Sequence, residues 1–402
     1  MALLALLYLV QGMPFGFQVA ALPVFLFDQG VGIEAIGYST ALALPWAFKF
    51  LWAPWVETRG GGAGSRTKWI VPIQVLMAVG FVCASRLALP DQLGALMALL
   101  FGLNALAATQ DIAVDGLAVD LLPPDELGLG NAAQVVGFKA GMAVAGGILV
   151  WLTAWIDWSG AFLSMAGLIV AVAGLLLVVD EPAGGGQRRM DASRGAMEVV
   201  SALKDSMVRP GMATIVAVIA TYKMGESIID VMFKPFLMEQ GVTASQMGLW
   251  LGTWGMAASI VGSVAGGMLA MRFRLLPLLL VAGVVRLLPQ CAQLFMAVGA
   301  IEVAPWSAIA VALAENAAGG ALTTVMFASM MGWVDRTMGA SHFTLLACIE
   351  VWGKSLSAFL SGVIAAHLGY SGAFALGISL GVVFLVLVRR IHPSQEPAQQ
   401  RP

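Results

Sequence analysis

Phe25-Leu26-Phe27-Asp28-Gln29-Gly30-Val31 recurs as Phe236-Leu237-Met238-Glu239-Gln240-Gly241-Val242. Each copy closes a long apolar run with an acid, a glutamine and a glycine, so the same signal ends a segment in both halves of the chain. Gly37 then matches Gly248, Asn104 matches Asn316, and Lys139 matches Lys354, in the same order along each half. The chain therefore reads as a duplication.

Of 402 residues, 59% are hydrophobic and 11% charged, whereas a soluble domain has about 25% charged residues. The apolar residues fall in runs of roughly 20 or more, each long enough to cross about 30 Å of hydrocarbon. A membrane β-barrel would show alternating segments of about ten residues. The chain has none, which leaves helices. The runs predict spans near 3–28, 33–56, 69–87, 93–122, 129–155 and 161–179, then 212–239, 247–270, 275–298, 303–334, 343–367 and 374–388. The expected fold is an all-α membrane protein of twelve transmembrane helices, six plus six about a pseudo-twofold axis. Parallel six-span repeats of this kind are the organisation of major facilitator transporters, whose substrate site lies at the midplane. The expected domains are a first half over 1–180, a cytoplasmic linker over 181–209 opened by Gly184-Gly185-Gly186, a second half over 210–390 and a tail over 391–402.

Orientation follows from Lys and Arg in the loops, which are retained on the cytoplasmic side. The loops after even-numbered spans carry residues such as Arg59, Arg66, Lys68, Arg188, Arg189 and Arg336, and the tail carries Arg401, whereas the odd-numbered loops carry Arg86. Both termini are expected in the cytoplasm. The N-terminus has no basic region or cleavage signal and reads as a retained first helix. A net charge of −2 gives no reason to expect nucleic acid. Cys83, Cys291 and Cys348 lie far apart, without the spacing of a metal or redox site, so neither metal nor cofactor is expected.

Charges inside spans are costly and usually functional. Glu226, Asp230 and Lys234 follow Lys223 at helical spacing in span 7, all within about 80° of one another. Span 4 carries Asn104, Asp111 and Asp115, span 1 carries Tyr8, Gln11 and Gln18, and span 10 carries Asn316 and Thr323. Spans 1, 4, 7 and 10 occupy equivalent places in the two halves, so these stripes are expected to line a polar path. Carboxylates one turn apart in a medium of low dielectric do not both ionise cheaply. Asp111, Asp115, Glu226 and Asp230 are thus the proton-coupling candidates. Lys139, Lys223, Arg286 and Lys354 can hold an anionic substrate, or hold those carboxylates when it is absent. The bland alternative is that the charges merely lock helices together, and for Lys49, Lys234 and Asp120, near span ends, that they reach out to water. Gly12-x-Pro14-x-Gly16 weakens the ladder of span 1 and permits a bend, which makes Pro14, with Lys49, a gating candidate.

Four stretches carry a family resemblance: Tyr8 to Gly16, Lys49-Phe50-Leu51-Trp52-Ala53-Pro54, Ala108-Thr109-Gln110-Asp111-Ile112-Ala113-Val114-Asp115, and Gly130-Asn131-x-x-Gln134. They resemble the AmpG-type permeases, grouped with the acetyl-coenzyme A transporters of eukaryotic membranes, over residues 8–140. The resemblance implies a proton-driven importer of anhydro-muropeptides in the inner membrane, with Gln11, Lys49, Asp111, Asp115, Asn131 and Gln134 as important positions. Two departures stand out: the chain is compact for that family, and Glu57 stands where Asp is usual. The expected function is proton-coupled import of anhydro-muropeptides or a related large anionic solute by a monomeric carrier. The alternative is an acetyl-CoA or organic-anion carrier without proton coupling. Asp111-x-x-x-Asp115 with Glu226-x-x-x-Asp230 superficially copies the Mg²⁺ motifs of intramembrane prenyltransferases, but the duplicated halves and the lysines in span 7 speak against an enzyme.

Overall fold

The computed structural model describes residues 1–22, 25, 26, 29, 39–59, 66–89, 91–123, 126–178 and 195–391. Asp28 and Gly37 of the repeat, linker residues 181–194 and the tail from 392 lie outside the described residues. All regular structure among the described residues is helical.

In chain order the helices are α1 (Ala2–Gly16), α2 (Leu44–Phe48), α3 (Ala53–Arg59), α4 (Thr67–Ala84), α5 (Leu93–Leu121), α6 (Leu127–Ala143), α7 (Leu149–Val178) and α8 (Ala196–Val208). There follow α9 (Met212–Thr221), α10 (Met224–Glu239), α11 (Ala244–Met247), α12 (Gly255–Arg272), α13 (Leu275–Ala297), α14 (Pro305–Trp333) and α15 (Gly339–Arg389). Ten helical segments among the described residues are long and apolar enough to cross a membrane. One of them contains α15, whose 51 residues would reach about 76 Å as a straight rod at 1.5 Å per residue. It breaks at Gly369, at φ 69°, a left-handed conformation that costs glycine little. α7 breaks likewise at Asp157, at φ 54°, where the Asp157 carboxylate accepts the Gly160 N–H at 2.8 Å and caps the helix that follows.

Two expected spans are not continuous helices. The described part of span 2 is a chain of short pieces: a 3₁₀ turn at Ser39–Ala43, α2, a second 3₁₀ turn at Lys49–Leu51, and α3. Proline is the reason, because Pro45 and Pro54 bring no N–H to the helical ladder and their rings disfavour the α conformation just before them. Span 7 divides into α9 and α10 at Tyr222 and Lys223, so Lys223 stands just before the helix whose face it was expected to share.

The described chain forms two compact units. Unit 1 is 1–122, 136–203 and 335–344, and unit 2 is 123–135, 204–334 and 345–402. Each unit thus contains a short piece from the other half of the sequence. In unit 1, α1 meets α6 through facing glycines. A Cβ on Gly12 would lie 2.0 Å from the Phe138 carbonyl oxygen, and one on Gly141 2.0 Å from that of Leu9. Gly12/Gly16 and Gly137/Gly141 are both glycine pairs four apart, the spacing that lets membrane helices approach backbone to backbone. The Gly12-x-Pro14-x-Gly16 stretch is therefore a packing surface, and the departure from α geometry comes just after it, in the π-helical turn Phe17–Ala21. In unit 2, Phe233, Phe236 and Leu237 of α10 pack with Trp250, Met296 and Phe374, so the second copy of the quoted repeat closes its helix against the core of that unit.

Candidate functional site

In unit 1, α5 places Asp111 and Asp115 one turn apart on one face, and both are buried. Lys49, buried in the 3₁₀ turn of the broken span, makes an ion pair with Asp111 and lies 3.8 Å from Asp115. The Tyr8 hydroxyl of α1 donates to Asp115 at 2.8 Å. On either side of Lys49 the indole N–H of Trp46 donates to Asn104 Oδ1 at 2.9 Å and that of Trp52 to Thr109 Oγ1 at 3.0 Å. One lysine thus faces two carboxylates away from water, and the knot carries a net charge of −1 when all three are ionised.

A second ionic cluster lies further along α5. Arg66, buried, pairs with Glu57 of α3 at 3.0 Å and with Asp120 at 3.4 Å. The other Glu57 oxygen accepts the backbone N–H of Ser341 at 2.8 Å, and Arg336 donates to the Leu122 carbonyl at 3.0 Å. Burial pulls the Arg66 guanidinium toward losing its proton, but Glu57 and then Asp120 outweigh this and hold it above the ordinary arginine value. Gly116 makes room for the cluster, since a Cβ there would fall 2.7 Å from the Arg66 guanidinium carbon and from the Ala340 Cβ.

Unit 2 has its own knot. Arg286 of α13 gives one terminal nitrogen to the Glu315 carboxylate and the other to the Glu315 backbone carbonyl, and stands 3.3 Å from Glu226. Glu226, Asp230 and Glu315 bring carboxylate oxygens within 4.8 Å of one another, close enough to share a cation. The Arg286 guanidinium already serves as a cation there, bonded to Glu315 and paired with Glu226. Three carboxylates against one guanidinium leave −2 when all are ionised. Nearby, the Tyr222 hydroxyl donates to Glu350 at 3.3 Å, and Lys354 pairs with Glu350 at 3.4 Å.

The structure thus joins Lys49, Asp111 and Asp115 in one knot, and Glu226, Asp230 and Arg286 in another. Lys139, Lys223 and Lys354 are half-buried, with the Lys223 ammonium 5.7 Å from the Tyr222 ring centre. Asn131 and Gln134, although in the first half of the sequence, belong to unit 2, where Asn131 donates to the Leu127 carbonyl and faces Met331 Sδ at 3.3 Å. Asn316 bonds its own helix at Ala312. Gln11, Gln18 and Pro14 are buried, and among the described residues neither amide atom of Gln11 has a hydrogen-bond partner. Sequence reasoning missed Glu315 and Glu350, although an acid inside a span is itself the signal. It also missed the Glu57–Arg66–Ser341 contact, in which Ser341 lies far from the other two in sequence.

Residues 1–155 match the family model described as acetyl-coenzyme A transporter 1. The chain is 27% identical to the anhydromuropeptide permease of Escherichia coli (strain K12) over 390 residues, which cover 96% of this chain and 78% of that one. Among solved structures, it superposes on the major facilitator superfamily proton:xylose symporter XylE with a TM-score of 0.72 at 12% identity, covering 98% of this chain and 94% of that one. On the major facilitator superfamily transporter FucP in its outward conformation the TM-score is 0.73 at 15% identity, covering 97% and 98%. These solved structures share the fold of this chain.

Proposed function

Starting from a multi-pass membrane transporter of the major facilitator fold, homologous to anhydromuropeptide permeases, we propose that the chain is a proton-coupled importer of anhydro-muropeptides or a related large anionic solute. It works by alternating access in the inner membrane, as a monomer with twelve spans and both termini in the cytoplasm. The observation that supports this most directly is the knot of Lys49 between Asp111 and Asp115. A proton taken by one carboxylate balances its charge, and Lys49 then holds the other; loss of that proton resets the knot. Glu226 and Asp230, crowded with Glu315 around Arg286, form the second candidate for proton uptake. The half-buried Lys139, Lys223 and Lys354 are the cations best placed to meet an anionic solute, since Lys49 and Arg286 are more deeply buried.

The test is uptake of labelled anhydro-muropeptide into vesicles under an imposed inward proton gradient, comparing wild type with Asp111→Asn and Lys139→Ala. Gradient-dependent accumulation, lost in both variants, is the expected result. The match of residues 1–155 to the acetyl-coenzyme A transporter family model favours a second reading, an acetyl-CoA or organic-anion carrier without proton coupling. Folded wild type that takes up acetyl-CoA but no muropeptide would establish that alternative.

A further inference from the structure

We propose that Gln11, Gln74 and Gln110 form a buried water-binding site inside unit 1, beside the Tyr8–Asp115 hydrogen bond, where their amides hold a small cluster of ordered water molecules. The site stands on geometry. The proton-coupled reading enters only in what these waters do for the Lys49 knot.

Each of the three side chains is 0% exposed. Among the described residues, neither the amide nitrogen nor the amide oxygen of any of them meets a hydrogen-bond partner. They come from three different helices, α1, α4 and α5. One orphaned glutamine is a defect that a fold can carry. Three with both ends unmet are not, because every buried polar group without a partner is costly and such groups are rare in native proteins.

The contacts of unit 1 put the three at one level. Along α7, Phe17 packs on Phe162 at 5.1 Å and Phe25 on Trp158 at 4.8 Å. Phe81 also packs on Phe162, at 6.4 Å, and the Ser85 carbonyl accepts the Ser159 hydroxyl at 3.0 Å. The first span and α4 therefore both run antiparallel to α7, with Phe17 and Phe81 at the same height. Gln11 stands six residues before Phe17 and Gln74 seven before Phe81, so their heights agree to about 2 Å at 1.5 Å per residue. α5 turns back along α4, and a Cβ on Gly80 would fall 2.6 Å from a Leu103 methyl. Gln74 lies six residues before Gly80 and Gln110 seven after Leu103, again about 2 Å apart in height. The Tyr8–Asp115 bond closes the triangle: Gln11 is three residues beyond Tyr8 and Gln110 five before Asp115, a mismatch of about 3 Å.

The same contacts set the facing. Gln74 shares a face with Phe81, toward the first span and α7, and Gln110 shares one with Leu103, toward α4. Gln11 is one turn from Tyr8, which points to α5. The amides are neutral and offer donors and acceptors together, which selects water over an ion of either sign. A buried water typically makes about three such bonds. With Gln11 next to Tyr8, the waters continue the Tyr8–Asp115 hydrogen bond into the interior. Under the proton-coupled reading they give Asp115 mobile hydrogen-bonding neighbours.

The experiment is X-ray radiolytic labelling of the full-length protein in detergent, read by mass spectrometry as methionine oxidation. Radicals formed from a bound water attack the side chains beside it, so a buried methionine is labelled where water is buried next to it. Met77, 0% exposed and one turn from Gln74, is the reporter. Met296, in the apolar core of unit 2, is the dry reference. Met77 is expected to oxidise at least about tenfold faster than Met296. Gln74→Leu/Gln110→Leu should bring Met77 down to the Met296 rate while a cooperative thermal transition is retained. Equal rates in the wild type, or fast Met77 labelling that survives the double variant, overturns the site. If the double variant does not fold, Gln110→Leu alone takes its place, and the wild-type comparison needs no variant. No transport is read, so a failed uptake assay and a dry site are separate results.

Discussion

Arg286 binds Glu315 twice, once through the carboxylate and once through the backbone carbonyl of the same residue. A guanidinium fixed to both side chain and main chain of a neighbouring helix is a clamp, and its removal strands carboxylates in a dry interior. Arg286→Met alone is expected to cost about 3–5 kcal/mol of stability, and pairing it with Glu315→Leu should recover much of that loss. Thermal unfolding of the purified protein checks both values. Equal losses in the single and double variants would mean that the pair does not act as a unit.

Lys354 should behave differently. Its side chain is 40% exposed although its partner Glu350 is buried, so it can reach a solute at little cost to the fold. Lys354→Gln is expected to raise the KM for an anionic substrate about tenfold, equivalent to about 1.4 kcal/mol, with the melting temperature unchanged. A fall in stability with KM unaltered would assign Lys354 to the framework.

Asp111→Asn should separate coupling from carriage. With one carboxylate already neutral, Lys49 retains Asp115, and the knot is charge-balanced without a proton. Gradient-driven accumulation should fall at least about tenfold, while exchange of labelled for unlabelled substrate at equal pH on both sides continues. Loss of both activities would place Asp111 in substrate binding.

The α1–α6 contact gives a purely steric prediction. A methyl group on Gly141 would meet the Leu9 carbonyl oxygen at 2.0 Å, so backbone must shift, and Gly141→Ala should destabilise the protein by about 1–3 kcal/mol. Gly174, with open space around its Cβ direction, is the matched control, and Gly174→Ala should leave thermal unfolding near wild type.

Much of this was legible in the sequence because the bilayer permits few architectures. Runs of apolar residues announce spans, and the helical period alone places Asp111 beside Asp115 and Glu226 beside Asp230. What the period does not reveal is which residues meet across helices. The ties from Lys49 to Asp111, from Arg286 to Glu315 and from Tyr222 to Glu350 are tertiary facts. The broken span around Lys49 was written in Pro45 and Pro54, but high hydropathy masked it. The Gly12/Gly16 pair read as a hinge because the facing Gly137 and Gly141 lie far away in the chain.

The exchange of short pieces between the sequence halves bears on biosynthesis. Unit 1 includes residues 335–344, so Glu57 leaves the ribosome long before the Ser341 amide whose N–H it will accept. At about 5–20 residues per second, tens of seconds pass with that buried carboxylate–guanidinium cluster incomplete. Over that interval the first half is a folding intermediate, and expression of the first half alone should give a chain recognised by quality-control proteases.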